Sequence, residues 1–101
     1  MLNEYVAEAF GSFIFFTIVL TKEDAIMIAV ALLVAMLVAS VASQSHLNPA
    51  ITTMAYMQGK FTGEKSLAYI ASQLVGAFAA IQWANYMGNK PARSPELPII
   101  A

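Results

Sequence analysis

The chain has 101 residues, 59% of them hydrophobic and 11% charged, with a mean hydropathy of +0.68, which is too apolar for an ordinary small soluble domain and places it in the membrane class. A net charge of -1 with no Lys/Arg cluster excludes nucleic acid and acidic partner surfaces, because phosphate binding draws on several basic contacts. Zero cysteines exclude disulfides and thiolate chemistry, and one histidine cannot by itself build a zinc or haem centre, so no metal, no cofactor and no enzyme activity is expected.

The start, Met1-Leu2-Asn3-Glu4, lacks the basic region of a cleaved signal, so the first apolar segment is expected to remain as an anchor. That segment, 5–21, is apolar except for Glu8 and is just long enough to cross a bilayer. The polar turn Thr21-Lys22-Glu23-Asp24 follows, and so short a link makes the next helix an antiparallel neighbour. Residues 25–42 carry no charge and no strong polar group apart from Ser40, which predicts the clearest transmembrane helix of the chain.

A short helix is predicted over 49–58, with Asn48 as N-cap, Pro49 at the first position where its missing N–H is harmless, and Gly59 as its stop. The polar stretch 60–65 leads into a third span, 66–88, with Tyr69 and the Trp83–Tyr86 pair placed near its ends, where amphipathic rings favour the interface. The tail 89–101 carries Pro91, Pro95 and Pro98 and is expected to be non-helical. Small residues recur every four positions at Ala68, Ser72, Gly76, Ala80, Ala84 and Gly88, and again at Ala31, Ala35, Ala39 and Ser43. Such stripes let backbones approach closely, but a spacing of four drifts by about 40° per step on an α-helix, so one partner cannot use a whole stripe.

A span, a short Asn-Pro-capped helix and another span form the pattern of a re-entrant element; an interfacial loop followed by a surface helix is the alternative. Non-helical backbone at membrane depth is tolerated only when buried in protein or lining a water-filled cavity, so a water path is the economical reading. The N-terminus of the short helix would present a partial positive charge of roughly half a unit, repelling cations. Asn48 can cap that helix with its oxygen while its NH₂ donates to a passing solute. Glu8, an intramembrane carboxylate, must find partners.

These residues resemble a known family. His46-Leu47-Asn48-Pro49-Ala50-Ile51-Thr52 is similar to the first Asn-Pro-Ala box of the aquaporins and glycerol facilitators, the major intrinsic proteins. Ala7-Glu8-Ala9-Phe10-Gly11-Ser12-Phe13, continuing to Phe16, and Tyr69-Ile70-Ala71-Ser72-Gln73-Leu74-Val75-Gly76-Ala77 resemble the family's first-helix and third-helix signatures. The resemblance implies an all-α membrane protein in which residues 1–88 form three transmembrane helices and one re-entrant half-helix, half of a right-handed bundle. By position it implies that Asn48 is the pore donor beside Pro49 and Ala50, and that the carbonyls of Gln44, Ser45, His46 and Leu47 form a single-file ladder. His46 would stand at the pore wall or tie the loop to a neighbouring helix, and Glu8 and Gln73 would hold the loop by hydrogen bonds. Phe15 and Leu32 match apolar pore-lining places, with lipid or core contact as the alternative.

There are departures. Gln44-Ser45 stands where the family usually has Gly-Ala or Gly-Gly, and Ile28 stands where its constriction often has an aromatic residue, suggesting a wider, less polar filter. Only one repeat is present, without the second box and its following arginine. Two copies inserted in opposite orientations, or one copy with a second aquaporin-like half, would complete a pore in the lipid bilayer for water or another small neutral solute. The basic residues fit dual orientation, with Lys60 and Lys65 on one side against Lys22, Lys90 and Arg93 on the other. A non-conducting interaction subunit and a truncated fragment of a longer channel are the alternatives.

Overall fold

The computed structural model describes residues 3–88; the expected tail 89–101 lies outside them. Each of its four helices opens on a side-chain oxygen that takes an otherwise unpaired N–H of the first turn. Asn3 caps α1 (Glu4–Thr21) through Tyr5, and Asp24 caps α2 (Ala25–Ala39) through Ile26. Asn48 caps α3 (Pro49–Met57) through Ala50, and Thr62 caps α4 (Gly63–Tyr86) through Lys65.

Three boundaries differ from the sequence expectation by two or three residues. Thr62 recruits Gly63, Glu64 and Lys65 into the first turn of α4, so a stretch read as polar linker is helical. At the other end α4 stops at Tyr86, and Gly88 follows with φ +77°. Helix α2 ends at Ala39, before the expected 42, because residues 40–42 wind into a tighter turn through Val41 N–H to Val38 O and Ala42 N–H to Ala39 O. Its 15 residues span about 22 Å, less than a hydrocarbon core of roughly 30 Å. By length and composition α1 and α4 are the helices able to cross a membrane, and α2, which hydropathy made the clearest span, is a shorter apolar helix.

Helix α1 lies between α2 and α4, and α3 packs on α4. Contacts advance together along α1 and α4, from Glu4 with Tyr69, to Glu8 with Gln73, to Ser12 beside Gly76, so these two helices run parallel and start on the same side. Gly76 and Gly11 are where backbones meet: a Cβ on Gly76 would stand 2.5 Å from the Ala9 carbonyl oxygen, and one on Gly11 would stand 2.9 Å from Ala39 Cβ. The buried face of α4 is Ser66, Tyr69, Gln73, Gly76, Ala80 and Ala84, so the four-residue stripe is used only over its middle. Ala68 and Ser72 are half-buried and Gly88 is exposed, as the 40° drift requires.

Tyr69 turns into the bundle rather than onto its outer surface. It is fully buried, two turns inside α4, with its ring edge-on to Tyr5 and Phe61. Trp83 and Tyr86 do face outward. A small apolar core of Ala35, Ala39 and Leu47, with Ile14, Phe15 and Leu32 against it, joins α1 and α2 to the chain that follows α2. Elsewhere the large apolar side chains point out, including Ile26, Val30, Leu33 and Leu37 on α2 and Leu74, Val75 and Phe78 on α4. That coat is suited to lipid or to another protein surface.

Candidate functional site

The chain between α2 and α3 is folded back into the bundle by polar groups of α1 and α4. Ser45 and Leu47 both adopt φ +54°, a left-handed conformation that costs a non-glycine residue of order 1 kcal/mol or more. Each is held there from two directions. The Ser45 N–H donates to Ser43 Oγ at 2.9 Å while its hydroxyl donates to the Met36 carbonyl at 2.7 Å. The Leu47 N–H donates to Glu8 Oε2, and its side chain fills the core beside Ala35 and Ala39. Gln44, standing where the family has glycine, lies outside the left-handed region, so its side chain does not strain the turn.

Glu8 is fully buried on α1 and accepts three hydrogen bonds: from Ser43 Oγ at 3.0 Å, from the Leu47 N–H, and from Gln73 Nε2 at 2.9 Å. Gln73 Nε2 also donates to Thr52 Oγ1 at 3.0 Å, and Thr52 Oγ1 lies 2.9 Å from His46 Nδ1. The carboxylate thus finds its partners on the loop and on α4, and α3 is tied in through Thr52. The His46 ring stacks on Phe61 at 4.9 Å and leans on Tyr69 at 5.1 Å.

Backbone polarity along residues 44–47 is sorted except at the His46 N–H, which has no partner among the described residues. The N–H groups of Gln44, Ser45 and Leu47 are all taken by protein, the first by the Tyr69 hydroxyl at 3.0 Å. Among the described residues, the carbonyl oxygens of Gln44, Ser45, His46 and Leu47 accept no hydrogen bond.

Two clefts flank this segment and share His46 and Ile51. One, of about 390 Å³, has polar walls from Gln44, Gln58, Lys60 and Lys65. The other, of about 270 Å³, is mostly apolar, with Phe15, Phe16, Leu32, Met36 and Leu47 around Asn48 and Pro49. Asn48 is exposed; its Oδ1 accepts the Ala50 N–H at 2.8 Å, and its NH₂ has no partner among the described residues. The structure therefore brings Asn48, Pro49, His46, Leu47, Phe15 and Leu32 to one cleft and Gln44 and His46 to the other. Ser45 is buried, Ala50 is exposed, and neither these two nor Ile28 lines either cleft.

Sequence reasoning missed Ser43, Thr52, Phe61 and the Glu4–Tyr69 pair as members of this site. A signal existed for the last: Glu4 and Glu8, like Tyr69 and Gln73, are four apart and so share a helix face.

The profile of the family described as "Major intrinsic protein" matches residues 1–96. Among curated proteins, Aquaporin-3 of Milnesium tardigradum is 47% identical over 58 residues, covering 55% of this chain and 18% of that protein. Glycerol uptake facilitator protein-like 6 of Lactiplantibacillus plantarum is 31% identical over 88 residues, covering 78% of this chain and 41% of that protein. The chain thus spans less than half the length of either relative. No solved structure matches it. With the family profile extending over nearly its whole length, the chain belongs to the major intrinsic protein family, whose members are integral membrane channels.

Proposed function

We propose that this chain forms one half of a passive channel for water or small neutral solutes, with α1, α4 and α2, the last lengthened by the turn at 40–42, crossing the bilayer and α3 entering it as a re-entrant half-helix. The observation that carries this reading is the sorted backbone between α2 and α3. In a trans peptide the N–H and C=O point in opposite directions, so tying the N–H groups of Gln44 and Leu47 to Tyr69 and Glu8 turns the carbonyls of Ser43 and His46 away from α4 and α1. With the unbonded carbonyls of Gln44, Ser45 and Leu47 they supply a ladder of acceptors that leads to the Asn48 donor. Phe15 and Leu32 give the opposite wall nothing to bond, so a solute stays aligned along the ladder. The first turn of α3 aims a partial positive charge at the same place and disfavours cations.

Glu8 and Gln73 support the loop from behind, and Pro49 and Ala50 begin the half-helix that Asn48 caps. Ile28, outside both clefts, contributes to the filter only once a facing half is present. Both clefts are open, so among the described residues neither forms an enclosed pore. A second copy in the opposite orientation, or another half of the same family, supplies the facing wall. The open, apolar outer surface also favours a second reading, in which the chain is a non-conducting subunit that docks on a channel.

Osmotic shrinkage of liposomes containing the purified chain tests the proposal. Shrinkage faster than that of protein-free vesicles is expected. Asn48→Asp, which replaces the NH₂ donor with an acceptor-only anion, should slow it by roughly tenfold, the equivalent of one lost solute hydrogen bond. Vesicles no leakier than lipid alone favour the docking subunit, and an unchanged rate in Asn48→Asp removes Asn48 from the path.

A further inference from the structure

Glu4 stands at the first position of α1, outside both clefts, yet it is joined to the loop through one intermediary. Its Oε1 accepts from the Tyr69 hydroxyl at 2.9 Å and pairs with Lys65 Nζ at 3.6 Å. The Tyr69 oxygen in turn accepts the Gln44 N–H at 3.0 Å. An ionised carboxylate can only accept, so it draws the hydroxyl proton to itself and leaves an oxygen lone pair facing Gln44. That N–H shares its peptide plane with the Ser43 carbonyl, so fixing the N–H fixes the carbonyl of the peptide on which the loop opens. Lys65, whose Nζ also lies 4.6 Å above the Phe61 ring, holds the carboxylate in place from α4.

We propose that Glu4 is a positioning residue for the loop between α2 and α3: through Tyr69 it sets the peptide on which the loop opens. It acts separately from Glu8, which holds Ser43 and Leu47. The consequence for permeation rests on the channel reading, whereas the consequence for the loop does not.

Amide hydrogen exchange on the full chain in detergent micelles tests it. Glu4→Leu should speed exchange of the Gln44 N–H by about tenfold, the effect of weakening one charge-assisted link, and leave the Leu47 N–H within about twofold. Tyr69→Phe, which removes the acceptor itself, should have at least as large an effect, and the double variant should not exceed Tyr69→Phe, because both act on one link. Glu4→Gln keeps an oxygen acceptor and should restore most of the protection. Unchanged Gln44 exchange in Glu4→Leu overturns the proposal, as does an equal rise at Leu47, which would mean general loosening. In vesicles, water permeability should fall in Glu4→Leu and recover in Glu4→Gln. If the unaltered chain does not conduct, the channel reading fails and the exchange result still decides the role of Glu4.

Discussion

Replacing Gly76 with alanine tests whether the close approach of α1 and α4 is what allows the polar network to form. The added Cβ would stand 2.5 Å from the Ala9 carbonyl oxygen, 2.7 Å from Ser12 Cβ and 2.9 Å from the Phe13 nitrogen. Two of these atoms belong to the backbone of α1, so no rotamer change relieves the contact and the helices must part. Opening 2.5 Å to the 3.4 Å of ordinary contact moves α1 by about 0.9 Å. The same displacement would stretch the 2.9 Å Glu8–Gln73 hydrogen bond to about 3.8 Å, beyond useful reach. Overpacking costs about 1–3 kcal/mol and a lost hydrogen bond to a buried charge about 1.5–3 kcal/mol. The higher helix propensity of alanine returns about 1 kcal/mol.

The expected net loss is about 1.5–5 kcal/mol, measured by equilibrium unfolding with SDS in mixed micelles and followed by circular dichroism. Gly63→Ala is the internal control. A Cβ there meets only Tyr56 Cε1, at 3.7 Å, and should leave stability unchanged or raise it by up to about 1 kcal/mol. If Gly76→Ala unfolds at the same SDS fraction as the unaltered chain, α1 and α4 are not in the contact described and the register that joins Glu8 to Gln73 loses its basis.

Two further positions, Glu8 and Leu47, probe the loop from its supports. Glu8→Ala leaves the Ser43 hydroxyl, the Leu47 N–H and the Gln73 amide without their acceptor and should cost at least about 3 kcal/mol in the same unfolding measurement. Glu8→Gln should cost only about 1 kcal/mol, because its oxygen can serve Leu47 and Gln73 while its NH₂ donates to Ser43 Oγ; equal losses for the two variants would refute this division of roles. Leu47→Ala empties a fully buried position between Ala35 and Ala39 and should cost about 2–5 kcal/mol, against less than about 0.5 kcal/mol for the exposed Leu33→Ala. Similar melting of those two variants would show that Leu47 does not anchor the loop.

What the sequence by itself determined is largely local. Asn3, Asp24, Asn48 and Thr62 begin helices through bonds to residues two or three positions on, so the caps are written in the residues that make them, although only the capping role of Asn48 was read. The apolar character of the spans and the drift of the small-residue stripes are also properties of composition and helical period. The Asn-Pro-Ala box identified the segment around which the site is built and the family to which the chain belongs.

Tertiary structure decided the rest, because it depends on partners 21 to 65 residues apart in the chain. Hydropathy could not show that α2 stops at Ala39, since Val41 and Ala42 are as apolar as the residues before them. An amphipathic ring near a span end suits an interface equally well, and only the hydroxyl's links to Glu4 and Gln44 explain why Tyr69 is buried. Ser45 and Leu47 carry no mark of a left-handed backbone in their side chains. They adopt it because Glu8, Ser43, Met36 and the Ala35–Ala39 surface hold them there, a set of contacts that exists only once α1, α2 and α4 have packed.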